Sequence, residues 1–107
     1  MNEMIVLIDR KDKSGLTKGV IADMGSDLMF ICDQIRLLEQ MYVNQGEEFL
    51  GAFILGIEQE KPSKVYIPDN AFKMNYADDH SIQHPKLGKA WTTLVARIEP
   101  GQFGEEE

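Results

Sequence analysis

The side chains best suited to chemistry lie in one short stretch of this 107-residue sequence, Asp78-Asp79-His80 followed by His84. Two imidazoles and two carboxylates within seven residues are the groups that hold a transition metal or run acid–base chemistry. Asp78, His80 and His84 are the candidate metal ligands. On a helix His80 and His84 would share a face. Pro85, however, steers His84 out of the α region, and no third or fourth ligand follows at a familiar separation. A solvated polar loop over 77–86 is the simpler reading. The expectation is therefore no cofactor, and no stoichiometric zinc, nickel or manganese in purified protein.

Other catalytic signatures are missing. Gly15 and Gly19 lack the Lys-Ser/Thr ending of a phosphate-cradling loop, and no Gly-x-Ser-x-Gly elbow occurs. Cys32, the one cysteine, sits beside the inward stripe of the strongest helical segment, where a free thiol behaves as a small hydrophobe. It has no internal disulfide partner, which suits a reducing compartment. Arg10, Lys11, Lys13 and Lys18 cluster near one turn. Asp9 and Asp12 interrupt them and no aromatic residue interleaves, so they read as solubilisers of a turn and not as a nucleic-acid surface.

Charge points the same way. The net charge is −7, the wrong sign for a dedicated nucleic-acid binder. Residues 23–60 carry eight acids against Arg36 alone, and the last stretch is acidic again. A solvated face accounts for this. The sharper alternative is an acidic surface that steers toward a basic partner. No apolar run approaches the ~20 residues that span a bilayer. The first ten residues lack the layout of a secretory signal. A cytoplasmic protein that touches neither membrane nor nucleic acid is expected.

The elements follow from periodicity. Met4–Ile8 and Leu16–Ala22 read as two strands joined through Gly15. Residues 25–43 form the clearest helix, with Ser26 as N-cap, Asp27 at the positive end and Gly46 as a left-handed stop. Leu28, Ile31, Ile35, Leu38 and Tyr42 recur at helical spacing. A second helix is expected from about Glu47, with Phe49, Leu50, Phe53, Ile54 and Ile57 facing inward. Its run is apolar enough to be a buried strand instead. Gly51 and Gly56 within it suggest close approach to a neighbouring backbone. Residues 64–76, with alternating Phe72, Met74 and Tyr76, read as a second hairpin. Residues 87–98 fit either a helix or an edge strand.

The expected fold is α+β in two layers. An antiparallel sheet of two hairpins carries a helical hairpin on one face, and the last element is a helix or an edge strand. Residues 1–103 form one domain, and 104–107 an acidic disordered tail.

The first helix holds more apolar surface than one sheet can cover. Phe30, Leu37 and Met41 form a second set beside the main stripe, with Met24 and Met29 nearby. A helix on a single sheet needs about a 100° stripe. Either the second helix covers this set, or a partner does, and methionine-rich surfaces adapt well to partners. Met29, Phe30, Asp33, Leu37 and Met41 are the candidate interface. In length and style the chain resembles small proteins of bacteria and their mobile elements, a likeness that carries no residue role. The expected function is a protein–protein interaction module, self-association included. An inhibitor or immunity-type protein blocking a basic site is one alternative. A small metal-binding or enzymatic domain around Asp78, His80 and His84 is the other.

Overall fold

The computed structural model describes residues 3–69 and 74–103. In chain order the elements are β1 (Met4–Lys11), β2 (Thr17–Gly25), α1 (Leu28–Asn44), β3 (Glu48–Glu58), β4 (Ile82–His84) and β5 (Gly88–Ile98). The strands form one antiparallel sheet in the order β2-β1-β3-β5-β4. Four strands are long, and β4 adds three residues beside Gly88–Ala90. The α+β class is as expected, and so is the first hairpin. Its turn is tied by Asp12, whose Oδ1 accepts from the N–H groups of Ser14 and Leu16 at 2.9 and 3.0 Å. Gly15 takes the left-handed φ of +89° that this turn requires.

The helical hairpin does not form. Phe49 to Ile57 lies in β3, the middle strand, so α1 is the one helix among the described residues. The reason is burial on both faces. Ala52 and Ile54 join Val6, Ile8, Ile98 and the helix residues Ile31, Ile35 and Tyr42 on one side. Leu55 and Ile57 join Ile5, Met74, Ile82 and Ala90 on the other. A strand covered on both faces loses its polar alternation and reads as a continuous apolar run. Glu47 and Glu48, expected to open a helix, instead meet bases: Glu47 pairs with Arg10, and Glu48 lies opposite Lys11.

Gly51 and Gly56 do mark close approach, within a strand. Gly51 sits at a bulge with φ +131°, where a Cβ would stand 3.0 Å from the Ile98 carbonyl oxygen. At Gly56 a Cβ would stand 3.1 Å from Thr93 Oγ1.

Three further expectations are corrected. Residues 64–69 and 74–76 form no strand, so the second hairpin is not built there; residues 70–73, Phe72 among them, lie outside the described residues. This segment crosses the sheet face opposite α1, where Tyr66, Met74 and Tyr76 cover Ile5, Leu55 and Ile57. The polar loop over 77–86 contains β4, and Ser81, Ile82 and His84 are buried. The last element is a strand, with Gly88 at φ +78° opening it, and it lies between β3 and β4 instead of at the edge. The helix thus covers one sheet face and irregular chain the other. The tail at 104–107 lies outside the described residues.

Candidate functional site

Asp27, rather than Ser26, caps α1, accepting the Phe30 N–H at 3.1 Å. Gly46, at φ +84°, lets the chain turn directly into β3. Between these ends Ile31, Ile35 and Tyr42 are buried against the sheet, and Cys32 and Leu38 are half-buried beside them. Leu28, expected inward, is exposed on the first turn.

Two contacts lock the rotation of the helix. Arg10 pairs with Glu47 while its guanidinium lies 4.6 Å from the centre of the Tyr42 ring. On one flank Glu39 Oε2 accepts the Gly101 N–H at 3.0 Å, and Phe103 packs against the core beneath.

With that rotation set, the second apolar set points away from the sheet. Phe30, Leu37 and Met41 lie roughly 120–160° around the helix from Ile35. They are 50%, 57% and 41% exposed, and Met29 is 79% exposed. Asp33 and Arg36 are exposed beside them, and Gln34 is half-buried. All five candidate interface residues therefore fall on the outer side of α1 and remain open to solvent. The missing second helix explains why: β3 lies under α1 in the sheet, so it cannot cover the helix from outside.

The proposed metal ligands are arranged otherwise. Asp78 and His80 are exposed, His80 at φ +66°, while His84 is buried. His84 Nδ1 accepts the N–H groups of Lys86 and Leu87 at 3.1 and 3.2 Å, so it holds the turn into β5. Among the described residues no three His, Cys, Asp or Glu side chains are grouped to hold a metal ion.

Sequence reading missed the role of Asp79. Its Oδ1 accepts from Ser81 Oγ at 2.6 Å and Ser81 N–H at 3.1 Å, and its Oδ2 lies 2.8 Å from Lys89 Nζ. The Lys89 ammonium and the Ser81 donors hold the carboxyl well below the usual carboxylate range. Trp91 Nε1 donates to the Asp79 carbonyl at 3.3 Å. The Asp-x-Ser spacing is a local turn signature that could have revealed the first of these contacts. The contacts to Lys89 and Trp91 come from strand pairing and have no local signal.

No protein-family model, curated protein or solved structure matches the chain. No helix among the described residues is long and apolar enough to cross a membrane.

Proposed function

We propose that this chain is a small protein-recognition module that binds through the outer face of α1. The observation that carries the reading is the exposure of Phe30, Leu37 and Met41 on a helix whose opposite side is already packed. Spaced at i, i+7 and i+11, they form the kind of row that an amphipathic helix presents to a partner. Covering the exposed part of each side chain is worth about 1 kcal/mol.

The acidic alternative has less support. Three of the eight acids in residues 23–60 serve the fold: Asp27 caps α1, Glu39 holds Gly101 and Glu47 pairs with Arg10. The metal alternative lacks a grouped ligand set among the described residues.

The test compares immobilised wild-type chain with Leu37→Asp, each offered both the chain itself and a lysate. Binding that the wild type shows and Leu37→Asp loses supports the reading. Binding that survives Leu37→Asp and a second variant, Phe30→Asp, overturns it.

A further inference from the structure

We draw no further inference here: the strongest candidate, the exposed apolar patch of Phe30, Leu37 and Met41 on the outer face of α1, belongs to the site already described, and nothing in the structure shows what covers it.

Discussion

The Thr92 hydroxyl donates to the Tyr66 carbonyl at 2.6 Å, and the Thr92 carbonyl accepts the Tyr66 N–H at 2.8 Å. This double contact fastens an irregular segment to the outer edge of β5, beyond the reach of the three-residue β4. Tyr76 Oη joins it, 2.8 Å from Thr92 Oγ1 and 3.2 Å from the Tyr66 carbonyl. Thr92 is fully buried. Thr92→Val keeps the volume and removes the hydroxyl, so about 1–2 kcal/mol of stability should be lost in urea unfolding. Tyr76→Phe should cost about 1 kcal/mol. The double variant should cost less than the sum, because both changes remove the same Tyr76–Thr92 bond.

Gly51 and Gly15 separate backbone strain from crowding. Both have positive φ, but a Cβ at Gly15 meets open space while one at Gly51 meets the Ile98 carbonyl. Gly15→Ala should therefore cost about 1 kcal/mol, from conformation alone. Gly51→Ala should cost at least about 2 kcal/mol, since β3 must also move away from β5. Denaturation midpoints of the two variants, measured side by side, check the difference.

Asp79 makes stability depend on acid. Its pKa in the folded chain lies below its ordinary 3.8, chiefly through Lys89. The unfolded chain therefore takes up the proton first. The contribution of Asp79 is present above the unfolded value and declines as pH falls through about 4 toward the folded value. Asp79→Asn should lower stability near neutral pH and flatten the acid limb of the stability profile. Unfolding curves collected from about pH 2 to about pH 7 read this directly.

His84 is a structural acceptor, and its replacements should rank by what they offer the turn. His84→Ala strands the Lys86 and Leu87 N–H groups beside a cavity and should cost about 2–4 kcal/mol. His84→Asn places an oxygen near the position of Nδ1 and should recover part of the loss. Amide exchange at Lys86 and Leu87 should be faster in the alanine variant than in the asparagine variant.

Local signals account for what the sequence alone determined. The β1–β2 turn is written in Asp12, Ser14 and Gly15. The helix is written in the spacing of Ile31, Ile35 and Tyr42, and its end in Gly46. The two apolar sets on α1 could also be separated, because their positions around a helix follow from its pitch. What only the tertiary structure decided is the environment of each run. Phe49–Ile57 became the middle strand because Ile31, Ile35 and Tyr42 of α1 cover one face while Met74, Tyr66 and Tyr76 reach the other. The last run became a strand because the edge of β3 was open to it. Asp79 and Lys89, ten residues apart, became partners only when β4 and β5 paired. A residue's own periodicity records how many of its sides are covered and not what covers them. The identity of the cover is set by contacts distant in the chain, and for Phe30, Leu37 and Met41 the described residues of a single chain do not supply it.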